Sequence, residues 1–247
     1  QGVILGVAGS GHVEGLAGRG DGRRLAYNRG MRILTRAVAL GVLLAGMLCA
    51  APAAARTLER GNGPEPSTLD PHRCPEVACA NVLRDLYEGL VAEDGAGRLI
   101  PGLAERWEVS DDGRTWTFHL REGLRWSNGE PLDAPQWLAS LRRAFEPGTA
   151  APFAAHLDAI ENTAAVQRGQ LPPPALGVEA PDARTLVFRL SRSADLPRLL
   201  TLPIAYPVYL PGLAEHGARF TRPGKLVSNG AYRLVEWLPQ AHLVVER

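Results

Sequence analysis

The chain has 247 residues and is nearly neutral, with a formal charge of +1 from 27 basic and 26 acidic side chains. No basic stripe runs along it, which excludes nucleic acid as a partner. Its six histidines are scattered without an H-E-x-x-H pair, and no catalytic constellation or metal-ligand set stands out, so neither an enzyme nor a cofactor is expected.

Residues 1–30 are rich in Gly and Arg and read as translated upstream sequence without a fold of their own. They contain Gly9-Ser-Gly11-His-Val-Glu-Gly15, which imitates a dinucleotide fingerprint, but a helix-poor Gly/Arg run follows where such a loop needs a helix. From Met31 to Ala55 come Arg32 and Arg36, the apolar run Ala37 to Ala50, and Ala53-Ala54-Ala55, the order of a secretory signal, with cleavage expected after Ala55. The run is shorter than the roughly 20 residues of a spanning helix, which disfavours a retained anchor. Leu48 in front of Cys49 disfavours lipidation.

The remaining 192 residues, Arg56 to Arg247, suffice for one substantial core or two small lobes. Cys74 and Cys79 are the cysteines left after export; an oxidising compartment allows them to pair, and two buried thiols are the alternative. Asp70 and His72 beside Ser67 sit in a Pro-containing turn, where triad geometry is not expected. Val82, Leu83, Leu86 and Leu90 recur at helical spacing, which predicts a helix from Asn81 to Leu90.

Asp94-Gly95 and Asp112-Gly113 supply turn residues that tolerate positive φ. The second is flanked by Trp107 to Val109 and by Thr115 to Leu120, a hairpin with Trp116, Phe118 and Leu120 on one face. Asp133 caps a helix carrying Trp137, Leu138, Leu141 and Phe145, with Pro135 in its first turn and Gln136 placed to close a capping box. Pro172-Pro173-Pro174 marks a loop, and Leu186, Phe188 and Leu190 a strand. Trp107, Trp116, Trp126 and Trp137 are expected in core and hairpin packing.

Several motifs recur in a fixed order: Gly61-Asn62-Gly63-x-Glu65, Leu69-Asp70-Pro71-His72, LYEGLV, P-x-L-A-x-x-W, S-x-D-G-x-x-W-T-F-x-L-R, W-S-N-G-x-P-L, Ala151-Pro152-Phe153-Ala154, Ser228-Asn229-Gly230-Ala231-Tyr232 and Val245-Glu246-Arg247. In this order they resemble the solute-binding proteins of peptide-type ABC importers, extracellular family 5, and within them the oligopeptide-binding branch. The resemblance implies an α/β, two-lobed periplasmic binding protein fold of type II. Here it would comprise part of lobe I (56–87 and 209–247) and an inserted subdomain (88–208).

The resemblance further implies a periplasmic monomer that captures oligopeptides for an ABC permease of the inner membrane. Dipeptides, a nickel complex or an oligosaccharide are alternative solutes, and a truncated remnant without transport is another reading. By position, Pro75, Glu76 and Val77 would pair with the ligand backbone, although Pro75 lacks an N–H donor. Phe153 falls where the branch has a cleft-facing tyrosine, and Asn229 matches its strand-starting asparagine, which implies a further ligand contact in the cleft.

Overall fold

The computed structural model describes residues 57–247. The expected leader with its cleavage point, Cys49 and the Gly9 to Gly15 loop lie outside the described residues.

Apolar residues at helical spacing build the first helix, α1 (Val77–Leu86), which buries Val82, Leu83 and Leu86. It starts and stops four residues earlier than the apolar spacing alone predicts. The stop is tertiary. The carbonyl of Leu86 accepts from the N–H of Gly230 at 2.8 Å and that of Asp85 from the N–H of Tyr232 at 3.1 Å, so the open end of the helix is satisfied by a distant strand of chain. Leu90 leaves the helix and enters the core of the next unit.

β1 (Val91–Glu93) and β2 (Leu99–Pro101) then form a hairpin whose turn is tied by Asp94: Oδ1 accepts from the N–H groups of Ala96 and Arg98. The positive φ of this turn falls at Gly97, not Gly95. β3 (Ala104–Val109) and β4 (Thr115–Leu120) form the expected second hairpin, with Gly113 at φ +68° in its turn.

α2 (Ala134–Phe145) is capped by Asp133, whose carboxylate accepts from the N–H of Gln136 at 2.9 Å. The other half of the capping box does not form, because the side-chain oxygen of Gln136 accepts instead from the indole of Trp126. The short α3 (Thr163–Gln167) and a 3-10 turn at Pro173–Ala175 follow, then β5 (Val178–Glu179) and β6 (Thr185–Arg189). β3, β4, β6 and β5 make one antiparallel sheet in that order. α4 (Leu196–Leu199), α5 (Leu210–His216) and the hairpin β7 (Arg233–Leu238) and β8 (His242–Glu246) complete the chain.

Two hydrophobic clusters result. The larger runs from Leu90 to Ala205 and packs α2 on the four-stranded sheet, with Trp137 and Phe118 edge-on to Phe188 at 5.8 and 5.4 Å. Trp126 is also buried in it, and Trp107 and Trp116 pack against it from the hairpin. The smaller joins Leu69, Cys74 and α1 to Tyr206 and Leu234, with Trp237, Leu243 and Val245 packed against it. Among the described residues no helix is long and apolar enough to cross a membrane.

Candidate functional site

The stretch before α1 is built around a buried ion pair. Asp70 caps the 3-10 turn Pro71–Arg73, accepting from the N–H of His72. Both its oxygens also take the guanidinium of Arg143, from the last turn of α2, at 2.9 and 2.6 Å. Burial alone would raise the Asp70 pKa, but the hydrogen bonds and charge of Arg143 outweigh it and leave the carboxyl below its ordinary value.

His72 is 1% exposed and is held between the same guanidinium, 3.0 Å from its Nδ1, and the carbonyl of Tyr206, 3.0 Å from its Nε2. Arg143 has only N–H groups to offer and Tyr206 only an oxygen, which fixes the neutral tautomer with the proton on Nε2. Burial lowers its pKa from 6.5 to about 4, with Arg143 pushing the same way.

The residues singled out for ligand contact fall in three places. Pro75 and Val77 are exposed and Glu76 is partly so. Val77 opens α1, so the segment is extended only up to Glu76, and the backbone N–H groups available there are those of a first helical turn. The Glu76 carboxylate accepts from the N–H and hydroxyl of Ser67 at 2.9 Å. Cys74 and Cys79 are joined as a disulfide across this segment.

Phe153 is half-buried against the larger cluster, edge-on to the His156 ring. It lies just beyond the Pro147–Thr149 turn, whose Gly148 and Thr149 carbonyls accept from the Arg73 guanidinium.

Asn229 sits elsewhere. Its amide engages the backbone of Glu88 in both directions, donating to the carbonyl at 2.9 Å and accepting from the N–H at 3.3 Å. This is the far end of α1 from Val77, about 15 Å along a ten-residue helix. There it lines a cavity of about 530 Å³ with Arg84, Glu88, Glu93 and Tyr206. Burial raises the Glu88 carboxyl despite the nearby Arg121.

Arg73 and Arg143 carry no sequence signal of their own. Asp70 was marked in the sequence only as part of the Leu69-Asp70-Pro71-His72 motif, and its cationic partner is visible only in the fold.

Residues 98–247 match the model of the bacterial extracellular solute-binding proteins, family 5 Middle. The periplasmic oligopeptide-binding protein OppA of Escherichia coli is 37% identical over 227 residues, covering 87% of this chain and 42% of its own length. The probable deoxycholate-binding periplasmic protein YgiS of the same organism is 41% identical over 180 residues, covering 72% of this chain and 34% of its own length.

The crystal structure of Haemophilus influenzae OppA in complex with RPPGFSPFR superposes with a TM-score of 0.73 at 37% identity, over 76% of this chain and 37% of that one. The chain therefore spans well under half the length of these relatives. Over that part its architecture is the α/β fold of the type II periplasmic binding proteins, and the chain belongs to the bacterial extracellular solute-binding proteins of family 5.

Proposed function

We propose that the protein captures oligopeptides outside the inner membrane and hands them to an ABC permease, with no covalent chemistry, and that the described residues form one wall of its cleft. The observation that carries this reading is the combined sequence and fold likeness to oligopeptide-binding proteins, one of them solved with a peptide in place. In this reading Pro75, Glu76, Val77 and Phe153 face the ligand, and Asn229, held to the Glu88 backbone, is a further cleft contact at the other end of α1. The Met31 to Ala55 segment directs export and is cleaved after Ala55, and the product works as a monomer in the periplasm.

The division into lobe I (56–87 and 209–247) and an inserted subdomain (88–208) is part of the same proposal. It is supported by the two hydrophobic clusters, which part close to those limits. An extended ligand paired through its main chain gains affinity that is indifferent to its side chains, which suits peptides of many sequences. A second reading, an amphiphilic non-peptide solute, is favoured by the 41% identity to YgiS.

The test is a thermal melt of the native product isolated from its host's envelope, with its intact mass measured on the same sample. Tri-alanine at a hundredfold excess over Kd stabilises the protein by about 2.7 kcal/mol if the peptide reading holds. Stabilisation by deoxycholate and not by tri-alanine overturns it in favour of the second reading. A mass equal to that of residues 56–247 with no response to either ligand leaves a remnant without transport.

A further inference from the structure

Two arginines cross between the same two stretches of chain in opposite directions. Arg143 reaches from the end of α2 to Asp70 and is buried with it. Arg73 reaches back along the surface, its Nε donating to the carbonyl of Thr149 at 3.1 Å and its Nη2 to that of Gly148 at 2.9 Å. The receiving turn is itself rigid. The Thr149 hydroxyl donates to the carbonyl of Arg143 at 2.6 Å, and Ala150 closes the turn in the left-handed region at φ +51°.

Immediately after Arg73 comes Cys74, bonded to Cys79 in the first turn of α1. Pro75, Glu76 and Val77 are thus held on every side: by the Arg73 clasp before them, the disulfide across them, and the grip of Ser67 on the Glu76 carboxylate. The buried ion pair beneath already joins the two stretches, so the outer clasp is not needed to hold them together. Its effect is to set where the exposed segment sits.

We propose that Arg73 and the Cys74–Cys79 disulfide form a positioning brace, which holds Pro75–Val77 at a fixed separation from the stretch leading to Phe153. An extended peptide then meets a preformed edge. This rests on the peptide-binding reading. Residues ordered before the ligand arrives lose no further conformational freedom on binding, so the brace acts on affinity through preorganisation, not through contact.

The experiment compares the full chain with its Arg73→Ala, Arg73→Lys and Cys74→Ala/Cys79→Ala variants, by hydrogen exchange, thermal melt and titration with tri-alanine. In Arg73→Ala, exchange in 75–83 and 147–153 rises about tenfold at an almost unchanged Tm. Tri-alanine binding weakens about tenfold in the same variant, and Arg73→Lys, which can supply one of the two bonds, lies between it and the parent. The double cysteine variant loosens 75–83 alone.

Unchanged exchange and affinity in Arg73→Ala overturn the brace. So does a Tm fall of many degrees in that variant, which would make Arg73 a stability residue. If the parent itself takes up no tri-alanine, the peptide reading fails, and the exchange comparison still decides whether the brace exists.

Discussion

His72 stores more of the chain's acid sensitivity than any exposed carboxylate can. In the folded protein its pKa is about 4, below the ordinary 6.5, so between these values the unfolded chain binds the proton first. The stabilisation is therefore complete above pH 6.5 and is lost as the pH falls towards 4, by about 3 kcal/mol. Asp70, also lowered, adds loss in the same direction at still lower pH. Urea titrations at pH 7 and pH 4 check this, and an equal midpoint at both would rule out a neutral buried imidazole. Replacing Arg143 by Met leaves Asp70 buried without its cation and costs about 3–5 kcal/mol in the same assay.

At the scale of the element, the ends of helices separate what the sequence shows from what it does not. The start of α2 was legible because its cap is local: Asp133 and the N–H it serves are three residues apart. Asp133→Ala should cost about 1 kcal/mol, read from the denaturation midpoint.

The end of α1 was not legible, since it is set by Gly230 and Tyr232. A Cβ at Gly230 would stand 2.5 Å from the Leu86 carbonyl carbon and the Tyr87 nitrogen, both backbone. Gly230→Ala therefore forces the two segments apart and destabilises by about 1–3 kcal/mol, whereas the same change at the open Gly95 leaves the midpoint where it was.

The same distinction governs the candidate site. Ordered motifs singled out Pro75–Val77, Phe153 and Asn229 as candidates, but the clasp of Arg73 ends on backbone carbonyls, which every residue possesses and no motif records. Asn229 was singled out by its motif, while the commitment of its amide to Glu88 becomes visible only in the fold.

Across the whole molecule the two clusters are unequal. The β3–β4 hairpin and β6 of the larger one followed from alternation and turn residues, and with the short β5, which no pattern announced, they form a continuous sheet backed by α2. The β7–β8 pair is a two-stranded ribbon that leaves Val235 and Leu238 about half exposed, at 45% and 50%. Isolated ribbons are marginal in water, so amides of β7 and β8 should exchange far faster than those of β4 and β6. Equal protection in the two sheets would contradict this ranking.

The partners of the last carbonyls of α1, Gly230 for Leu86 and Tyr232 for Asp85, are encoded about 145 residues downstream. During synthesis the helix end therefore stays open until Tyr232 has left the ribosome, whereas the buried residues of the larger cluster are complete at Ala205. Closing so long a loop comes late. A nascent chain stopped at 226 should accordingly resist protease through the larger cluster while α1 is still cut. Within residues 57–247 the stretch before β1 is in this sense made first and becomes rigid after the larger cluster that follows it in sequence.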